Sequence, residues 1–532
     1  MASKAKILFI GIDSADKDLI VEWANAGYLP TFKTLLDKFA WGNTSCPVGF
    51  YVGSLWPSFA TGVSAAEHGR YCFSQLTKGT YQTYRYDIFD LQGEMFWDTF
   101  SRAGRRVAVI DVPLTPPLEN LNGIQITDWG VHKANHKDIF YTWPSSLSPE
   151  IEAEFGRDSI RRCNNIKRTV NGFQDFQQKM IERTHKKERL SKKFLDQGNW
   201  DLFLTTFTEP HCIGHQCWHI HDLKHPNHDH KLANILGDPI LEVYKALDGS
   251  IGRLIAEVGA ESNIFVYCSH GMGSQDGAGS FLPWILGRLE NSGSSTTETV
   301  RKPATTEIVR KPAYQKKLSK ILAYLGKPKL FLWRLRKIFQ PDLDPPLTDF
   351  AVQTLNVSGR KCFMLGNNDA CGAVRVNLVG REPDGKVNPG AEYEEFCQQL
   401  TKDLLEIIDD TTGQPLVKNI IRASDAYQGT HLDELPDLII EWNRQTFIPS
   451  ISSPKIGKLE NTYSGVRTGD HKPSGIFFAM GPNVKPGKIA EETSVLDFAP
   501  TLAQLLDVNL SNAEGKVIDR IANLNREHLQ TN

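Results

Sequence analysis

Apolar residues along this chain come in two rhythms. Short unbroken runs, KILFIGI at 6–12, RVAVIDVP at 106–113, WDLFLTTF at 200–207 and NIFVYC from Asn263, have strand length and no polar face, as expected of strands buried on both sides. Between them lie stretches with helical spacing. DKDLIVEWANAG sets Leu19, Ile20, Trp23 and Ala24 along one stripe, and LPTFKTLLDKF continues as a second helix with Thr31 near its start. Strands separated by helices imply parallel βαβ crossovers, so the pattern predicts a three-layer α/β/α architecture with a largely parallel central sheet. Further on, GAVRVNLVGREPDG (372–385) and LPDLIIEW (435–442) flank a helical EYEEFCQQLTKDLLEII, which predicts a smaller α+β lobe over 372–460. The core is expected to comprise 1–288 and 346–532.

The intervening 289–345 breaks the rhythm. TTETVRKPA (296–304) is followed at once by TTEIVRKPA (305–313), and two copies cannot build a stacked repeat, so this part reads as a flexible basic insertion. The stretch 314–339 mixes Lys and Arg with large apolar residues. It fits either weak contact with an anionic membrane surface or a lid over a site, and Gly326 and Pro328, by cutting it into short pieces, favour the lid or a packing helix.

Composition narrows the field without naming a function. The 532 residues are 40% hydrophobic and 23% charged, with a net charge of -2, which gives no overall pull toward nucleic acid. Nine cysteines without paired spacing point to reduced thiols and a cytoplasmic setting. MASKAKILFIGID reads as a first strand, not a signal peptide, and no run of about twenty apolar residues is long enough to span a bilayer.

Candidate chemistry gathers just after the apolar runs, where the loops of a parallel sheet place ligands. EPHCIGH puts His211 and His215 four residues apart, so a helical or tightly coiled segment turns both imidazoles toward one cation. Asp13 ends the first run; it suits a metal or substrate, or with Ser14 it caps the following helix. In PVGFYVGSLWPSFATG, Ser54 stands where a helix through Trp56, Pro57 and Phe59 begins, either as a plain cap or as a hydroxyl in the field of the helix dipole. The histidines of WHIHDLKHPNHDH (218–230) read as a solvated insertion.

Taken together, WPSFATGVSAAEHG (56–69), EPHCIGH (209–215), CSHGMG (268–273), GDHKPSGIFFAMGP (469–482) and VLDFAPTLAQLLDV (495–508) resemble, in order, the motifs of the alkaline phosphatase superfamily, in the branch of type I phosphodiesterases and nucleotide pyrophosphatases. The resemblance implies two divalent cations, commonly zinc with manganese possible, held by Asp13, His211, His215, His270 and His471, and a nucleophile at Ser54 with Ser58 as the second hydroxyl. It implies metal-dependent hydrolysis of a small phosphoester, of the phosphodiester or nucleotide type, with no nucleic-acid partner. The chain departs from the pattern at three places. His211 and Ser269 stand where the family has aspartates, and ungapped counting from Thr61-Gly62 puts Val52 at the nucleophile position. A noncatalytic phosphate-binding scaffold is therefore the rival expectation. Sulfatase-like or mutase-like relatives share the metal core, although no CxPxR-like context surrounds Ser54.

Overall fold

The computed structural model describes residues 4–131, 139–158, 160, 166–290, 298–300, 353–368, 370–444, 447–462 and 465–522. The basic stretch 314–339 and nearly all of the tandem repeat lie outside them.

The four apolar runs form the strands they predict, and three strands that no run announced lie among them; in chain order these are β1 (Ala5–Ile12), the unannounced β2 (Ala40–Ser45), β3 (Val107–Ile110), the unannounced β4 (Gly123–Thr127), β5 (Trp200–Phe207), β6 (Asn263–Cys268) and the unannounced β7 (Gly271–Ser274). They are followed by β8 (Cys362–Leu365), β9 (Gly372–Val376), β10 (Val417–Arg422), β11 (Leu438–Trp442), β12 (Gly469–Lys472) and β13 (Ser474–Met480). The ten-stranded main sheet runs β2-β13-β6-β1-β5-β3-β4 through its centre, and β6, β1, β5, β3 and β4 are mutually parallel. At the far edge Tyr141–Trp143 pairs antiparallel with β4, and β13 enters antiparallel between β6 and β2. That reversal places the start of β13 at the same edge as the carboxyl end of β6, since Ile476 pairs with Cys268.

The helices used below are α1 (Lys17–Asn25), α2 (Pro30–Lys38), α3 (Leu55–Thr61), α4 (Val170–Leu195), α5 (Glu209–His221), α6 (Pro239–Ala256), α7 (Ala391–Leu405) and α8 (Phe498–Leu505). Alternation along β1 shows why they form two layers. Leu8, Ile10 and Ile12 enter one core with Trp23, Phe32, Phe176 and Tyr244, whereas Ile7 and Phe9 enter the other with Phe59, Phe96 and Phe498. The sheet is thus covered on both faces, which is what its uniformly apolar strands required.

The smaller lobe has its own antiparallel sheet, β8-β9-β11-β10, packed with α7 around a separate apolar cluster. It takes in β8, ten residues upstream of the expected start at 372. At the main sheet's carboxyl edge, α4 is fixed by a fully buried ion pair: Lys187 Nζ is 2.7 Å from Asp111 Oδ2 and donates to the carbonyls of Gly130 and Thr206 at 2.9 and 2.8 Å.

Candidate active site

Asp13, His211, His215, His270 and His471 all lie at this carboxyl edge, and each arrives there for a local reason. Asp13 and Ser14 follow β1, and backbone bonds from Asp13 N–H to Phe207 and from Ser269 N–H to Ile12 tie the ends of β1, β5 and β6 together. α5 starts directly after β5 with Pro210 in its first turn, where a missing N–H costs nothing. The four-residue spacing then stacks His211 and His215 on one helical face, with ring centroids 4.5 Å apart. His270 and His471 come from the hairpin-like pairing of β7 with β12, in which Met272 opposes His471. This pairing can reach α5 because two glycines let it. A Cβ on Gly214 would meet Met272 Cγ at 2.8 Å, and one on Gly469 would meet the Gly214 carbonyl oxygen at 2.3 Å.

Hydrogen bonds orient the imidazoles. His215 Nδ1 is 2.8 Å from the Gly469 carbonyl, an acceptor only, so this nitrogen carries the proton and Nε2 presents a lone pair. Arg467 Nε lies 3.1 Å from the same Nδ1, but the shorter carbonyl contact decides the tautomer. On the other side His270 Nδ1 donates to Ser269 Oγ at 2.9 Å, and Ser269 in turn faces Asp13 Oδ1 at 3.4 Å. Asp13 Oδ1 also accepts Trp56 Nε1–H at 2.9 Å. His270 Nε2 therefore also presents a lone pair. His471 stands between the two, its Nε2 3.1 Å from His215 Nε2 and its Nδ1 2.8 Å from His270 Nε2.

Burial favours the neutral form of His270 and His471. His270 is pushed down to about 4 by desolvation, only partly offset by Asp13, and His471 is lowered well below the ordinary histidine range by burial and then by His270, His215, His211 and Arg467. His471 has one proton for two facing nitrogens, and the Ser14 hydroxyl, 2.9 Å from His270 Nε2 and 3.2 Å from His471 Nδ1, is a second donor within reach. A divalent cation among these nitrogens would satisfy the same lone pairs. His211, His215 and His471 supply ligand atoms within 4.8 Å of one another, and neutral imidazoles suit zinc or a neighbouring transition ion. The donor set fits a metal.

The site is also braced by groups that motif reading did not single out. Arg444, just beyond β11 of the small lobe, pairs with Asp276 through Nε, with Asp470 Oδ2 at 2.8 Å and with the His471 carbonyl at 2.6 Å. Burial opposes its charge, but Asp276 and Asp470 outweigh burial and raise its pKa well above the usual value. Asp470, next to His471 in GDHKP, carried a positional signal; Arg444 carried none. Arg467 pairs with Asp470 Oδ1 at 3.0 Å, so two cationic side chains border the imidazoles.

Ser54 and Ser58 are placed differently. Ser54 sits at the amino end of α3, but its Oγ caps no backbone N–H; it lies 2.9 Å from Ser58 Oγ and 3.3 Å from His68 Nε2. Ser58 Oγ is 2.9 Å from the same nitrogen, and both serines are fully buried. His68 Nδ1 accepts the Arg70 backbone N–H at 3.2 Å, so the ring proton is on Nε2 and His68 donates to the serines instead of taking their protons. The histidine-rich stretch is solvated only in part: α5 continues to His221 on the apolar stripe of Trp218 and Ile220, His219 contacts Thr468 and His225 is buried, whereas Leu223, Lys224, Pro226, Asn227, Asp229 and His230 are exposed.

The architecture is an α/β fold with a largely parallel sheet covered by helices on both faces, and these groups meet at the sheet's carboxyl edge. The chain belongs to the type I phosphodiesterase / nucleotide pyrophosphatase family, a family of phosphoester hydrolases, whose model matches residues 7–287. Among solved structures, similar chains include phosphonoacetate hydrolase from Sinorhizobium meliloti 1021 (13% identity, TM-score 0.49, 95% of this chain and 96% of that one). Others are murine ectonucleotide pyrophosphatase / phosphodiesterase 5 (13%, 0.47, 96% and 97%) and a mutant of the alkaline phosphatase PafA (12%, 0.49, 98% and 99%). No curated protein matches.

Proposed function

We propose that the chain is a divalent-cation-dependent hydrolase of small phosphoesters, of the diester or nucleotide type, with zinc or manganese held by Asp13, His211, His215, His270 and His471. The observation that supports this reading is the convergence of neutral, tautomer-oriented imidazoles beside Asp13, bordered by Arg444 and Arg467. When bound, the cation supplies Lewis-acid stabilisation of a phosphoryl group. The chain's own residues orient the ligands through Gly469, Ser269 and Asp470, with Arg444 and Arg467 held beside them by Asp276 and Asp470. Ser54 is the hydroxyl proposed as nucleophile, with Ser58 second. Attack from Ser54 requires its Oγ to leave Ser58 and His68.

The test is a panel of aryl phosphate, phosphodiester, nucleotide and sulfate substrates with zinc, manganese and magnesium, on wild type, Ser54→Ala, Ser58→Ala and His215→Ala. Phosphoester turnover that falls by several orders of magnitude in His215→Ala supports the reading. Loss in Ser54→Ala identifies the covalent route; retention in both serine variants assigns attack to water. The sealed contacts of Ser54 and Ser58 favour one alternative, a noncatalytic phosphate-binding member. That alternative holds if no substrate turns over while phosphate still binds.

A further inference from the structure

We infer that Ser14 is an oxygen donor of the cation site, on its His270 side, an assignment that rests on the cation reading above. Ser14 is fully buried, and its Oγ lies 2.9 Å from His270 Nε2 and 3.2 Å from His471 Nδ1. Those two nitrogens are 2.8 Å apart, so the three atoms form a small triangle. Donors held about 2.0–2.1 Å from one cation lie about 2.9 Å apart at a right angle and about 3.4 Å apart at a tetrahedral angle. The triangle therefore has the edges of one face of a coordination shell.

Two further observations separate this role from simple packing. Ser14 has φ +58, a left-handed conformation that glycine adopts freely and a side chain adopts at a cost. Nor does Ser14 cap α1. Asp16 does, accepting the N–H groups of Asp18 and Leu19 at 3.2 and 3.1 Å. The backbone strain is thus borne by a residue whose hydroxyl has no use in the helix and faces the imidazoles. A neutral oxygen here adds a ligand without adding negative charge, which leaves the cation's charge directed at an anionic phosphoryl group.

Ser14→Gly and Ser14→Ala test the assignment. Metal-free wild type and both variants are titrated with zinc and with manganese by calorimetry, and the melting temperature of each metal-free protein is measured. The expected result is a cation affinity at least tenfold weaker in both variants, the range seen when groups around a metal are removed, with metal-free Ser14→Gly melting no lower than wild type because glycine relieves the left-handed strain. Affinities within twofold of wild type in both variants, whatever the melting temperatures do, overturn it. If wild type itself takes up neither cation, the cation reading falls and this assignment falls with it.

Discussion

At the residue scale, the protonation of single buried rings decides what the site can do. His68 shows the opposite case from the cation-site histidines, for its proton faces the serines. Burial, and then Arg70, lower its pKa from the ordinary 6.5 to about 3. The sign follows directly: a histidine held neutral in the fold contributes stability that is fully present above 6.5 and is lost as pH falls toward 3. Denaturant midpoints measured from pH 7 to pH 4 should fall with pH, and His68→Gln should flatten that slope by up to about 1.4 kcal/mol per pH unit. A slope unchanged by His68→Gln would show that the ring is protonated in the fold. Arg70 beside it has no hydrogen-bond partner on any guanidinium nitrogen among the described residues and rests instead on the faces of Tyr86 and Phe73. Arg70→Met is accordingly expected to leave stability unchanged or to raise it, read from the same denaturation curves, because an unpaired buried charge is removed.

At the element scale, the site depends on how closely α5 lies against the β7–β12 pair. In Gly214→Ala the new Cβ meets the flexible end of a methionine, whereas in Gly469→Ala it meets backbone. Gly214→Ala should weaken cation binding by tenfold or more while leaving the fold intact, and Met272→Ala should restore part of that affinity. The same second change should not rescue Gly469→Ala. Calorimetric titration of the four variants checks this; equal rescue of both glycine variants would show that the close approach is not what sets the imidazole geometry.

At the scale of the whole molecule, Arg444 ties the small lobe to the metal edge through Asp276, Asp470 and the His471 carbonyl. Removing it strips the buried Asp276 of its cation and leaves the buried Asp470 with Arg467 alone. Arg444→Ala should destabilise the protein by about 3 kcal/mol or more, and Arg444→Lys should recover little, since a single ammonium cannot serve the separated acceptors. Unfolding followed by two probes, tryptophan fluorescence and far-ultraviolet circular dichroism, measures this; a loss below about 0.5 kcal/mol would mean the contacts are surface-like. Elemental analysis of protein purified without chelator should find at least one cation per chain and at most two, because His471 offers Nε2 to the His215 side and Nδ1 to the His270 side.

The sequence by itself determined the strands, their burial and the edge at which chemistry would collect. Unbroken apolar runs have no way to satisfy themselves except between two helical layers, and the polar residues that end them fall at one rim. It also determined that Asp13, His211, His215, His270 and His471 were worth naming, since each sits in a motif next to a strand. What it left open was decided by contacts between segments far apart in the chain. Nothing local to WPSF says that His68 will turn its protonated nitrogen toward Ser54 and Ser58, and nothing local to IDSAD says that the cap will be Asp16, freeing Ser14 to face His270 and His471. Tautomers, close approaches at glycine and the reach of Arg444 depend on three-dimensional neighbours. A one-dimensional pattern records which groups are available, and only packing decides which of their protons and lone pairs meet.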